Sequence, residues 1–326
     1  MRCKLSALFL VLLAVGGTQG QDAKTQYPAM PEAFSSFGAA VCEGQVYVYG
    51  GHIGKTHTYS TEAVTGKFRR LNLSNPKGWE ELPGGPAIQG LAMVAHGGKL
   101  YRIGGMQPRN KPTSASDNHS LATCAVFDPA VGKWAPLPDL PAGRSSHDAT
   151  VVGNRIYVLG GWQMNGRGKK SIWHQTGAVL DLSQKTLRWE AIKQPFQRRA
   201  LNVAALEGKV YVVGGMGPDG TDKSVDVFDP ATQRWSKGPA LPGPSRNGFT
   251  PAVCASAGTL FASPTDGKLY RLDLKKNAWD EVGSLAKKRV VHRLVAANDG
   301  WLLVLGGGSR DGNLSMVETI AAGQKQ

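Results

Sequence analysis

The phrase VYVYGG at residues 46–51 recurs along the chain: LYRIGG ends at Gly105, IYVLGG at Gly161, VYVVGG at Gly215 and LLVLGG at Gly307. An apolar run without alternation is a strand covered on both faces. Two glycines at its end permit positive φ and close backbone approach where the strand turns. Successive pairs lie 54, 56, 54 and 92 residues apart, so the last interval has room for two shorter units. The stretch TLFASPTDGKLYRLDL fills it, with LFAS in the strand position and the glycines lost. Six units of roughly fifty residues form an array in which each repeat buries its face against the next.

Other residues keep step with the glycines. AVFDPAVGKW, AVLDLSQKTLRW, DVFDPATQRW and LYRLDLKKNAW end at Trp134, Trp189, Trp235 and Trp279. Small residues and prolines follow, then an arginine in PAGRSSH, FQRRALN, GPSRNGF and KKRVVHR. Each unit reads as four short strands: an inner one after the arginine, the glycine-terminated one, one ending near Asp-Pro, and an outer one at the tryptophan. Diglycine, aspartate–proline and tryptophan at fixed offsets resemble the Kelch repeat, and the resemblance spans essentially all of residues 21–326. It implies an all-β fold, a six-bladed propeller of four-stranded antiparallel blades around a central channel. The chain opens on YPAMPEAFSSFG, the end of a repeat, and closes on SMVETI, the third strand of another. The N-terminal segment is therefore expected to supply the outer strand of the last blade and close the ring without a free edge.

Residues 1–20 have the layout of a secretory signal. Arg2 and Lys4 precede an apolar run from Leu5 to Val15, and Thr18-Gln19-Gly20 makes a small-residue cleavage site. The expected mature protein is one exported propeller, periplasmic or secreted, over residues 21–326, without a transmembrane segment. Loss of Arg2 and Lys4 lowers the formal charge from +14 to +12, a balance that favours anionic partners. No basic–aromatic interleaving of the type that binds single-stranded nucleic acid is present, and nucleic acid is not an expected partner. Cys42, Cys124 and Cys254 each fall in a strand of a different repeat and read as buried free thiols.

In this topology the loops after the glycine pairs and the outer-to-inner connections share one face. The first set is unequal: MQPRNKPTSASDNHS in blade 2 and WQMNGRGKKSIWHQT in blade 3 are long, whereas PTDGK in blade 5 is a bare turn. Long loops on a rigid scaffold carry recognition, so a lopsided groove is expected, walled by blades 1 to 3 and low at blade 5. Its candidate ligand-binding residues are Arg144, Arg199, Arg246 and Arg289 at the arginine position, with Asn247 beside Arg246. His147, Asn202 and His292 follow three residues after an arginine, and His52 and Trp162 follow glycine pairs. Arg167, Trp173 and His174 come from the blade 3 loop. Arginine's planar fork suits carboxylates, and tryptophan offers a flat face to a sugar ring or a cation. An arginine at one place in four blades serves equally as a tie to backbone carbonyls, and that alternative stays open here.

No cofactor is expected, and the histidine spacing matches no standard zinc or copper pattern. Ser145, His147 and Asp148 are sequence neighbours, a poor basis for a converging triad. Secreted Kelch propellers include galactose oxidase, but this chain is far shorter and its cysteines fall in buried strands. At the level of fold the chain also resembles the N-acetylneuraminate epimerase group, which implies proton transfer near a sugar-acid ring, with His147 or His292 as candidate catalytic groups. The primary expectation is a binding module for a carbohydrate, a small anion or a protein partner; the alternative is a sugar-acid epimerase or mutarotase. Asn72, Asn118 and Asn313 each fit the N-glycosylation sequon.

Overall fold

Every glycine pair sits where one sheet hands over to the next. In the computed structural model, which describes residues 26–297 and 300–322, the N–H of the second glycine donates to a carbonyl of the following blade. Gly51 reaches Ile88 at 2.8 Å, Gly105 Arg144 at 2.8 Å, Gly161 Arg198 at 2.8 Å, Gly215 Gly248 at 2.6 Å and Gly307 Phe34 at 3.0 Å. The first glycine stands against the same carbonyl: a Cβ on Gly50 would lie 2.5 Å from Ile88 O, and one on Gly104 2.6 Å from Arg144 O. Both members also have positive φ, 66° and 114° for Gly50 and Gly51. No other residue supplies that conformation at that distance.

Six antiparallel sheets result, arranged as the blades of a propeller. Blade 1 runs Gly38–Cys42, Gln45–Tyr49, Phe68–Asn72 and Glu80–Leu82 from the inner strand outwards. Blade 2 repeats this with Ala92–His96, Lys99–Ile103, Cys124–Asp128 and Lys133–Leu137. The inner strands of blades 3, 4 and 5 are Ser145–Val152, Asn202–Leu206 and Ala252–Ser256. Blade 6 has Arg293–Ala296, Trp301–Leu305 and Val317–Ala321 among the described residues. The LFAS substitute is the second strand of blade 5, Thr259–Ser263. It makes its link to blade 6 with a side chain, Ser263 Oγ lying 3.1 Å from His292 Nε2.

The core lies between blades rather than within them. Tyr47, Tyr49 and Phe68 of blade 1 pack on Leu91, Met93, Leu100 and Phe127 around blade 2. Val295, Leu303 and Leu305 of blade 6 pack on Met30, Val46, Val48 and Leu71, which joins the last blade to the first. Each fully buried side chain of this size contributes about 1.5–3 kcal/mol. The periodic tryptophans brace the rim. Trp134, Trp189, Trp235 and Trp279 donate their indole N–H to Pro83, Pro138, Lys193 and Pro239, each just past or at the end of the preceding blade's outer strand.

Trp79 makes the same bond to Pro28 O at 3.1 Å. In the other blades that bond ends at or just past an outer strand, so Pro28 holds the corresponding place beside blade 1. Residues 1–25 lie outside the described residues, and with them the expected outer strand and the expected signal segment. Met30 N–H donating to Ser315 O at 2.8 Å and Gly307 donating to Phe34 O hold the N-terminal segment against blade 6.

A charged tie crosses the channel. Arg293, on the inner strand of blade 6, donates from Nε to Phe37 O at 2.8 Å and from its other two nitrogens to Leu91 O at 3.0 Å and Asp148 Oδ1 at 3.1 Å. The second Asp148 oxygen accepts from Val203 N–H at 3.0 Å. Five blades are thereby joined through two side chains, and blades 6 and 3 face each other across a six-membered ring. Removing one partner of a buried pair leaves the other charge uncompensated. Arg293→Ala is expected to destabilise the protein by about 3–5 kcal/mol, whereas Lys288→Ala, at an exposed position, stays within about 0.5 kcal/mol. Denaturant midpoints read both, and equal midpoints for the two variants would remove the tie from the account.

Candidate ligand site at the channel mouth

At the start of each inner strand the chain passes through one left-handed residue: Ser36 (φ 56°), Gly90 (60°), Ser146 (51°, within Ser145–Val152), Ala200 (53°), Thr250 (47°) and Val291 (48°). Only one of the six is glycine. A β-branched residue such as Thr250 or Val291 adopts this conformation at a cost of about 1–3 kcal/mol and needs its surroundings to hold it there. The restraint is a belt of hydrogen bonds. Gly90 N–H donates to Ser36 O at 2.7 Å, Ser146 to Gly90 at 2.9 Å, Ala200 to Ser146 at 2.7 Å, Thr250 to Ala200 at 2.8 Å and Ser36 to Val291 at 3.1 Å. The remaining link, Val291 N–H to Thr250 Oγ1 at 3.1 Å, closes the circle.

The residue before five of the six belt positions pairs with the residue after a glycine pair: Ser35 with His52, Gln89 with Met106, Ser145 with Trp162, Arg199 with Met216 and Val290 with Gly308. The two loop sets therefore do share a face, and the belt is its mouth. A cavity of about 160 Å³ lies there, bordered by Tyr59, His147, Arg199, Asn202, Phe249, His292 and Arg293 with the six belt residues.

Arg199 dominates this vestibule. Its guanidinium lies 4.1 Å from the ring centre of Trp162 and 5.6 Å from that of Trp173, two residues paired across a short hairpin. It also touches Met216 Sδ at 3.1 Å. Such stacking holds the planar cation without neutralising it. No carboxylate lies within ion-pair distance of Arg199 among the described residues, and its Nε is buried without a hydrogen-bond partner. Burial pushes the guanidinium pKa down.

Its neighbour Arg198 has the opposite character. The bridge register aligns Arg198, not Arg199, with Arg144 and Arg289, so the sequence assignment of the repeated arginine is one residue out in blade 4. Arg198 is buried and spends its donors on Asp226, Asp222 and Ser224 O. Arg144 donates to Gly160 O and Thr176 O, and Arg289 to Gly306 O and Glu318. These three tie strands of their own blade and have no donor fork turned to a ligand.

The other candidates divide. His52 is buried, with Nε2 2.7 Å from Thr58 O, and sets the loop that carries Tyr59. Asn247 is fully buried and bonded to Pro242 O, Asp266 and Thr265, a staple within blade 5. Asn202 borders the vestibule with its amide donated to Leu201 O. Arg246 is exposed on the short 3-10 turn Ser245–Gly248, outside the vestibule. Arg167 reaches back to Ala115 O, and His174 lies buried on Gly143 O. Ser145, His147 and Asp148 do not form a triad: Ser145 Oγ meets Ser120 Oγ at 2.7 Å, and Asp148 serves Arg293 and Val203. Among the described residues no group of three metal-ligating side chains converges.

Cys42, Cys124 and Cys254 are free; the first two are buried, and burial pushes the Cys124 thiol up to about 12. Of the three sequons only Asn72 is on open surface, since Asn118 is buried and Asn313 donates its amide to His52 O and Gly54 O. Tyr59, Phe249 and Arg293 are vestibule residues that repeat spacing did not single out. Arg293 had one signal, a charge inside the apolar inner strand VHRLVA.

Both histidines of the vestibule are neutral at ordinary pH. His147 is buried without a partner for either ring nitrogen; burial first, then the charge of Arg144, hold it well below the usual histidine value. Burial, with Arg289 and Arg293, pushes His292 down to about 3. A base whose folded pKa is depressed is protonated first in the unfolded chain. Stability is therefore complete above the unfolded value of 6.5 and is lost as pH falls from there towards 3. Denaturant midpoints between pH 7 and 4 are expected to drop, and His292→Asn to flatten that slope. An unchanged slope in the variant would contradict the assignment.

A family model for the KLHDC2/KLHL20/DRC7 Kelch-repeats domain matches residues 36–262. Kelch repeat and BTB domain-containing protein 12 of Danio rerio is 25% identical over 74% of this chain, and Kelch-like protein 35 of Mus musculus 24% identical over 68%. The chain spans 38% and 33% of the length of those two proteins. N-acetylneuraminate epimerase of Pasteurella multocida (strain Pm70) is 28% identical over 98% of both chains. The solved structure of YjhT superposes with a TM-score of 0.71 at 17% identity, over 89% of this chain and 95% of that one, a likeness of fold alone.

Proposed function

The chain belongs to the Kelch-repeat family of β-propellers, and from that premise we propose that it is a non-catalytic binding module that captures a carboxylate-bearing ligand at the belt-lined mouth. One observation carries this reading: Arg199 is a half-buried cation, stacked on Trp162 and Trp173, with no acidic partner within reach among the described residues. Keeping a guanidinium partly desolvated and unpaired costs stability. Arg198 and Arg289, ion-paired to carboxylates of their own blades, show how the same fold satisfies an arginine when its role is internal. A ligand carboxylate restores the missing charge and accepts from the planar fork, while Tyr59 and Phe249 flank it with ring surface. In this reading residues 1–20 direct export, and the protein meets its ligand outside the cytoplasm.

A second reading, a sugar-acid epimerase, is supported by the full-length match to the Pasteurella enzyme. Its chemistry needs a proton donor and an acceptor near the ring oxygen. His147 and His292 border the vestibule, but both are held neutral well below their usual range, which suits neither to donate a proton at neutral pH. That weighs for capture over turnover.

Calorimetric titration with glucuronate and N-acetylneuraminate separates the possibilities. Arg199→Ala is expected to weaken binding at least about tenfold, a loss of about 1.4 kcal/mol, with Arg199→Lys in between. Equal affinity for wild type and Arg199→Ala would remove the carboxylate site. NMR exchange between N-acetylneuraminate anomers is expected to run at the buffer rate; acceleration that disappears in His147→Asn or His292→Asn would establish the epimerase instead.

A further inference from the structure

The vestibule is too small for a whole ligand of ordinary size, since ligand sites usually measure about 300–1,000 Å³ and it measures about 160 Å³. It is not isolated, however. Phe249 borders it on one side and on the other borders a trough of about 800 Å³. Met216, in contact with the Arg199 guanidinium, is the trough's near end. The trough lies over the short turn of blade 5. Its walls are the blade 4 hairpin Met216–Gly217/Gly220–Thr221 and the blade 6 hairpin Gly308–Ser309/Gly312–Asn313, rather than the long loops of blades 1 to 3.

Its rim is cationic. Arg246, Lys288 and Arg310 lie at ion-pair distance from no carboxylate among the described residues, and all three are exposed. Lys287 is matched by Asp311 at 2.7 Å and Arg289 by Glu318 at 2.8 Å. Three positive charges without an ion pair, Arg310 beside Asp311 among them, therefore surround Phe249, Met216 and Val290, with Thr221, Thr265 and Ser309 beside them.

We propose that this trough binds the body of an acidic oligosaccharide whose terminal carboxylate occupies the Arg199 vestibule. The inference rests on the carboxylate reading of that vestibule and extends it. Charge complementarity selects a polyanion. Two further features select sugar over peptide. The floor and vestibule present ring faces, on which the apolar face of a pyranose stacks, and Thr221 adds a wall hydroxyl, those of Thr265 and Ser309 donating to Asn247 and to Gly312 O. A peptide adding to the walls as a strand needs free backbone groups. Here the bordering ones are spent: Val290 and Gly308 exchange both hydrogen bonds, at 2.9 and 2.8 Å, and so do Arg199 and Met216, at 2.9 and 2.7 Å.

The test titrates the full chain with glucuronate, with tetrasaccharides of hyaluronan and heparin, and with poly-glutamate of matched charge. At least one tetrasaccharide is expected to bind ten times more tightly than glucuronate. Lys288→Glu with Arg310→Glu is expected to abolish that gain and leave glucuronate binding intact, with an unchanged melting temperature showing that the double variant is folded. Arg199→Ala weakens both ligands. If glucuronate binds through Arg199 and neither tetrasaccharide gains over it, the trough proposal fails and the vestibule reading stands. Poly-glutamate binding more tightly than both tetrasaccharides overturns the sugar assignment in favour of an acidic protein segment. If no probe binds, both readings fail.

Discussion

A single hydrogen bond between neighbouring sheets organises this molecule: the N–H of a glycine at the end of one blade's second strand to a carbonyl that opens the next blade. It is made at five of the six junctions, and the Gly307 bond to Phe34 turns the array into a ring. The bond brings backbones so close that a Cβ on either glycine would collide with its neighbours: one on Gly160 would lie 2.7 Å from Arg198 O and one on Gly161 2.8 Å from Ser145 O. The same junction sets the left-handed residue two positions after each accepting carbonyl, and hence the belt. Where the glycines are lost, in blade 5, Ser263 and His292 make the link with side chains. At the belt Thr250 lends its hydroxyl in place of a carbonyl. The irregular blade is also the one over which the trough opens.

Repetition made the fold legible. Strand, turn and tryptophan positions depend on local chemistry that recurs five or six times, so errors at one copy are corrected by the others. Position within a copy is less secure. The adjacent pair Arg198 and Arg199 offered two registers, and only the pairing of Arg199 with Met216 shows which arginine is the internal tie. The outcome reverses the roles of the two residues. Arg144 and Arg289 illustrate a different limit: the same side chain serves a ligand or a carbonyl according to whether Gly160 O or Gly306 O lies within reach. That distance depends on the packing of strands, which spacing along the chain does not encode. Arg293 and Asp148 meet across 145 residues, beyond any local pattern.

The basic composition has a corresponding explanation in parts. Arg70 with Glu80, Arg155 with Asp181 and Lys99 with Asp128 are paired around the outer surface. Exposed pairs of this kind contribute little to stability, about 0–1 kcal/mol each. Unpaired cations remain elsewhere as well, Lys133, Lys185, Lys209, Arg234 and Lys275 among them, but Arg199, Arg246, Lys288 and Arg310 are gathered from the mouth across the trough.

The channel itself is not a passage. Arg293 and Asp148 fill its axis behind the belt, each bonded to backbone on neighbouring blades, and a solute moving through would have to break a buried pair that costs several kcal/mol to open. In the proposed reading a ligand therefore enters and leaves by the same mouth. Its far end stays outside the ring, which is the geometry of capture at an end rather than of threading. An internal segment of a long polymer has no free terminus to place against Arg199 and forfeits that contact. On that reading, discrimination between chain ends and chain interiors follows from the plug as directly as from any residue of the mouth.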